Sequence, residues 1–236
     1  MTLGVTGFLV MLPAVSDACQ PVPDSTHVSA AQVADAIGRG SDVLIVGDSY
    51  TTGRGSYDGT HGWAQDLVTA RGWNGDIDGL PGTGYVAEGR WATSRTTYES
   101  RIRAHADLHP ALVIVQGSQN DWSTDAATLT TAVERTLRTA RDQWPEAVVV
   151  AVGPSAPEPR ADSTAGISAA VAAGAGAAGV PYVDPLAGQW FTRMNSASYA
   201  AGDGEHLNDD GYLYLAGRIE DALQELATPA TGQQCM

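Results

Sequence analysis

Four short apolar runs constrain this chain most: Asp42-Val-Leu-Ile-Val46, Ala111 to Val115, Ala147 to Val152 and the shorter Val180 to Val183. Each is bounded by turn residues, and the runs lack the polar alternation of a half-exposed strand, so they predict strands buried on both faces. Helical spacing fills the intervals. Leu129, Val133, Leu137, Ala140 and Trp144 recur at i+3 or i+4 until Pro145 stops the helix. The Ala-rich stretch from Ile167 to Ala178 and the series Tyr212, Leu215, Ile219, Leu223, Leu226 behave likewise. Ser29 and Gln32 form a capping box that opens a short helix to about Ile37. The order reads βαβαβαβα without internal repeat or second domain, which implies an α/β fold with a mainly parallel sheet covered by helices on both faces.

At 236 residues, with 43% hydrophobic and 17% charged residues, the chain can bury one compact core. Its formal charge is −14, and all thirteen basic residues are arginine. Nucleic acid is excluded as a partner, because binding phosphate backbones needs clustered cations, and polybasic attachment to anionic membrane is excluded for the same reason. The run from Leu3 to Val15 is too short to span a bilayer and leads to Ser16-Asp17-Ala18, with small residues suited to a signal peptidase. Residues 1–18 are therefore expected to be a signal peptide, although no basic residue precedes the run. A lead-in segment and helix over 19–41, the main domain over 42–227 and a tail over 228–236 follow. The product is expected to be secreted or extracytoplasmic, monomeric and without an integral membrane segment. Cys19 and Cys235 lie near the two ends, where a disulfide could tie the termini.

Function in open parallel sheets gathers where the carboxyl ends of strands meet loops. Four polar groups fall at such places: Gly47-Asp48-Ser49, Pro81-Gly82-Thr83-Gly84, Gly117-Ser118-Gln119-Asn120-Asp121, and Asp203-Gly204-Glu205-His206 just before the last helix. A serine hydroxyl becomes a competent nucleophile when a base takes its proton, an acceptor orients that base, and donors await the oxyanion. Candidates exist for each part. Ser49 leaves a buried strand, His206 has Asp203 three residues upstream, and the N–H groups of Ser49 and Gly82 with the amide of Asn120 could meet the oxyanion.

These blocks resemble the SGNH hydrolases, also called GDSL esterases and lipases. The resemblance extends to Gly62-Trp63, Val183-Asp184-Pro185-Leu186 and His206-Leu207-Asn208. It implies a three-layer α/β/α sandwich of flavodoxin-like form, Ser49 as nucleophile, His206 as general acid and base, and Asp203 as its orienting carboxylate. Gly82 and Asn120 are implied as oxyanion donors. Two positions depart from the family pattern: Ser118 stands where members usually carry glycine, and Tyr50 replaces the leucine that often follows the serine.

Other readings are weaker. Gly82-Thr-Gly84 lacks the third glycine of a dinucleotide site, and Thr51 stands where an α/β-hydrolase elbow needs glycine. The acidic residues around Asp203 lack the spacing of a calcium loop, and no Cys/His cluster has metal spacing, so neither cofactor nor metal is expected. The expected substrate is a small-molecule or carbohydrate ester with a short acyl group, because no long apolar insertion suggests an interfacial lid. A carbohydrate O-acetylesterase is the narrowest form of this reading; a lipase, a thioesterase or a non-catalytic carbohydrate-binding member are the alternatives. Trp122 and Trp190 are candidate platforms for sugar or acyl chain.

Overall fold

A computed structural model describes residues 28–90 and 96–229. The expected leader, Cys19 and Cys235 lie outside the described residues. Helix α1 (Ala30–Ala36) opens with the expected capping box: Ser29 Oγ accepts from Gln32 N–H at 3.3 Å, and Gln32 Oε1 accepts from Ser29 N–H at 2.9 Å. Then come β1 (Asp42–Gly47), α2 (Ser49–Thr52), α3 (Trp63–Arg71), β2 (Asn74–Gly79), α4 (Tyr98–Ala104), β3 (Leu112–Gln116), α5 (Ala126–Gln143), β4 (Val148–Val152), α6 (Ala165–Ala178), β5 (Tyr182–Val183), α7 (Ser196–Tyr199) and α8 (Asp209–Leu226).

The five strands form one parallel sheet in the order β2-β1-β3-β4-β5. Pleating sends alternate side chains to opposite faces. Val43, Ile45, Leu112, Ile114, Val148 and Val150 join one core with α1, α3 and α8, while Leu44, Val46, Val113, Val115, Val149 and Ala151 join a second core with α4, α5 and α6. Runs apolar at every position are thus consumed by two cores at once, giving the three-layer α/β/α sandwich. Among the described residues no helix is long and apolar enough to cross a membrane.

Strand β2 is the exception to the apolar rule. Its sequence, Asn-Gly-Asp-Ile-Asp-Gly, contributes only Ile77 to the hydrophobic packing, because it lies at the sheet edge, paired to β1 alone. Strand order reverses between β1 and β3, so a crevice opens at their carboxyl ends. The segments that leave those ends carry Ser49 and Asn120.

Candidate active site

Strand β1 stops at Gly47, and the chain turns at once into α2. Asp48 caps that four-residue helix, its Oδ1 accepting from Tyr50 N–H at 2.9 Å. Ser49 is therefore the first helical residue at the end of a buried strand. Thr51 Oγ1 donates to Gln116 Oε1 at 3.0 Å, which ties this turn to the end of β3.

Ser49 Oγ lies 2.9 Å from His206 Nε2, and His206 Nδ1 lies 2.7 Å from Asp203 Oδ2. An ionised carboxylate can only accept, so Nδ1 donates to it and Nε2 is left to accept from the serine hydroxyl. The same Asp203 folds its own loop: Oδ1 accepts from the N–H groups of Glu205 and His206, each at 2.9 Å. Burial alone would raise the pKa of Asp203, but these two N–H donors and the imidazole outweigh it and hold the carboxyl down at about 2. An antiparallel bridge between Ala200 and Leu207 closes the loop from behind. The Tyr50 ring packs on the imidazole with centroids 5.3 Å apart, and its hydroxyl donates to the Glu205 carbonyl.

The second and third polar blocks are joined by Asp121. This carboxylate is buried and fully partnered: Oδ1 accepts from Val86 and Ala87 N–H at 3.0 and 2.7 Å, and Oδ2 accepts from Tyr85 N–H at 2.9 Å and Ser118 Oγ at 2.8 Å. Gly84 must be glycine there, since a Cβ would strike the Asp121 carboxylate. Asn120 Nδ2 donates to the Thr83 carbonyl at 2.9 Å and, in a long bond, to Asp48 Oδ2 at 3.4 Å. Both residues of the turn out of β3 have positive φ, 124° at Gly117 and 92° at Ser118. The serine that departs from the family's glycine thus occupies the left-handed backbone a glycine would adopt freely.

Ser49, Gly82, Asn120, Asp203 and His206 line one cleft of about 460 Å³. Residues 45–213 match the GDSL-like lipase/acylhydrolase family. The sequence is 32% identical over 189 residues to GDSL lipase Rv0518 of Mycobacterium tuberculosis, covering 75% of this chain and 79% of that protein. The chain belongs to the GDSL family. Solved structures agree on the fold of this GDSL protein. A carbohydrate esterase family 2 enzyme of Corynascus thermopiles (Myceliophthora fergusii) aligns with a TM-score of 0.62 at 15% identity, over 80% of this chain and 67% of that one. The aryl esterase of M. smegmatis aligns at 0.58 and 16% identity, and the carbohydrate acetylesterase Est24 from Sinorhizobium meliloti at 0.56 and 17%, each over 79% of this chain and 99% of the other. This GDSL protein is a carboxylic ester hydrolase.

The two tryptophans expected as platforms do not line the cleft. Trp122 points outward and is 77% exposed, whereas Trp190 is 4% exposed in the core beside Phe191, with the Arg218 guanidinium 5.5 Å from its ring centre. Nearness in sequence to Asn120 and Asp203 did not translate into nearness in space. The cleft instead carries three arginines the sequence pattern did not mark, Arg54, Arg90 and Arg160, beside Gln119 and Glu205 of the third and fourth polar blocks. Loop arginines follow no periodicity, so nothing in the sequence singles them out.

Proposed function

We propose that this GDSL hydrolase cleaves short acyl esters by a two-step acyl-enzyme mechanism, with a carbohydrate O-acetyl ester as the narrower substrate class. The unbroken hydrogen-bond relay from Ser49 Oγ through His206 to Asp203 carries the reading. Ser49 Oγ attacks the ester carbonyl carbon as its proton passes to His206 Nε2. The imidazolium then gives that proton to the leaving alcohol. Water, deprotonated by the same nitrogen, hydrolyses the acyl-serine and regenerates the enzyme. Asp203 stays ionised at neutral pH, since its carboxyl is held at about 2, and it stabilises the transient imidazolium. The N–H groups of Ser49 and Gly82 receive the negative charge on the carbonyl oxygen, together with the Asn120 amide, whose long bond to Asp48 Oδ2 gives way to the oxyanion.

The lining favours short acyl groups and polar alcohols. Arginine, asparagine, glutamine and carboxylate side chains dominate it, with Tyr50 and Pro81 as its main apolar surfaces. A long acyl chain gains roughly 0.8 kcal/mol per buried methylene only where an apolar wall receives it. Two of the structural neighbours are named carbohydrate esterases, consistent with a sugar alcohol as leaving group. A lipase reading draws on the name of the mycobacterial relative.

Labelling with a fluorophosphonate tests the nucleophile: one adduct on the peptide containing Ser49 is expected, and none in Ser49→Ala, whose turnover should fall to background. Full activity in that variant would sink the mechanism. A series of p-nitrophenyl esters of rising chain length, run beside acetylated xylan, tests the substrate. Rates should peak at acetate, and a peak at long acyl chains would turn the assignment to a lipase.

A further inference from the structure

Charge is distributed unevenly over this molecule. The chain carries a net −14, yet three of its thirteen arginines, Arg54, Arg90 and Arg160, line the cleft that holds Ser49. Five arginines elsewhere are committed to structure: Arg71 of α3, Arg101 and Arg103 of α4, and Arg135 and Arg138 of α5 each pair with an acid at 3.3 Å or less, whereas Arg39 and Arg141 have no acid partner among the described residues and Arg193 meets Asp162 at 3.4 Å. The cleft differs. Arg54 makes no ion pair among the described residues, and Arg160 meets Glu205 only at 3.4 Å. Of the two cleft carboxylates, Asp203 is engaged by His206 and the loop N–H groups. The lining thus holds three guanidinium groups against two acids on a protein of net charge −14.

Resting on the hydrolase reading above, we propose that Arg54, Arg90 and Arg160 select esters bearing an oxyanion, a carboxylate or phosphate within a few bonds of the scissile carbonyl. The acidic surface repels anions generally, and that repulsion fades beyond a Debye length of about 8 Å at physiological salt. Inside the cleft a guanidinium acts at contact range, where its planar fork matches a carboxylate or phosphate with paired N–H donors. A neutral acetate engages Ser49 and the oxyanion donors alone; an anionic ester adds charge-assisted bonds.

Matched aryl acetates test this: 4-acetoxybenzoate and 4-acetoxyphenyl phosphate against neutral 4-acetoxybenzamide. The wild-type enzyme should favour at least one anionic ester in kcat/KM by about tenfold at low salt, the size of one charge-assisted hydrogen bond. Added sodium chloride should shrink that preference. Arg54→Gln and Arg160→Gln should each lower the anionic-to-neutral ratio by about fivefold, a loss of about 1 kcal/mol in one such bond. Arg138→Gln on α5, remote from the cleft, should leave the ratio as it is. Which anion gains more identifies the source of the oxyanion. A wild-type ratio near one for both anions, or a ratio unmoved in both cleft variants, overturns the proposal. Absence of any Ser49-dependent hydrolysis of the neutral ester would overturn the hydrolase reading instead.

Discussion

Two aspartates flank the nucleophile, and their surroundings drive them in opposite directions. Asp203 has 42% of its side chain exposed and accepts two backbone N–H groups and the imidazole, which keeps its carboxyl at about 2. Asp48, one residue before Ser49, is buried, and desolvation pushes it up to about 7 despite the Tyr50 N–H and the nearby Arg101. Solvent and donors make one a permanent charge; removal of water makes the other a group that titrates near neutrality. One site therefore holds a carboxylate suited to orienting a base and another suited to shaping the turn that presents the serine.

Asp203→Asn should produce the largest effect that separates the two. Asparagine keeps the shape of the loop but presents an amide or a neutral oxygen to Nδ1, so it neither fixes the tautomer nor stabilises imidazolium. A drop in kcat of about 10⁴ is expected, with the fold intact by circular dichroism. A loss below tenfold would mean that Asp203 serves its loop and not His206.

Next in size is Asn120→Ala. If its amide turns from Asp48 to the oxyanion, kcat should fall by about 10² to 10³ with KM little changed. A change confined to KM would place Asn120 in ground-state binding.

Asp48 should reveal itself in stability. An acid whose native value lies above its unfolded one keeps a proton that the unfolded chain has released, so between about pH 4 and pH 7 stability falls as pH rises. Asp203 has the opposite sign: its contribution is present above about pH 4 and is lost as pH falls toward 2. Asp48→Asn removes only the first slope. Urea midpoints across the acid to neutral range should show the variant gaining on the wild type as pH rises, by a few kcal/mol at the upper end. A constant difference would show that Asp48 does not titrate there.

The central strands were legible in the sequence because burial on two faces leaves no room for polar residues in Val43 to Val46, Leu112 to Val115 or Val148 to Val152. Edge strand β2 has no such demand, and its range was not. Ser49, Gly82 and Asn120 were legible as polar groups after strand ends, and Asp203 with His206 as an acid and a base just before the last helix, all of which line one cleft. The role of Asp121 was not, since its partners are N–H groups some 35 residues upstream that no local pattern links to it. Trp190 misled because a large aromatic suits a core as well as a binding site, and here Phe191 and the Arg218 guanidinium claim it.

Asp121 combines the two extremes, being as buried as Asp48 and as fully bonded as Asp203, and Ser118 supplies one of its four donors from a left-handed backbone. Two substitutions isolate those contributions. Ser118→Gly relieves a φ of 92° but removes the hydroxyl from Asp121, and since strain and a charge-assisted bond are each worth about 1–3 kcal/mol, the net change should be under about 1 kcal/mol. Ser118→Ala removes the bond and keeps the strain, so it should cost about 1.5–3 kcal/mol. Urea unfolding of the pair orders the terms. Wild type against Ala reads the hydroxyl, and Ala against Gly reads the strain: if Ala is as stable as the wild type, the hydroxyl contributes nothing and the carboxylate is held by the three backbone N–H groups alone; if Ala is less stable than both, the serine's bond to Asp121 is the compensation for the strain it carries.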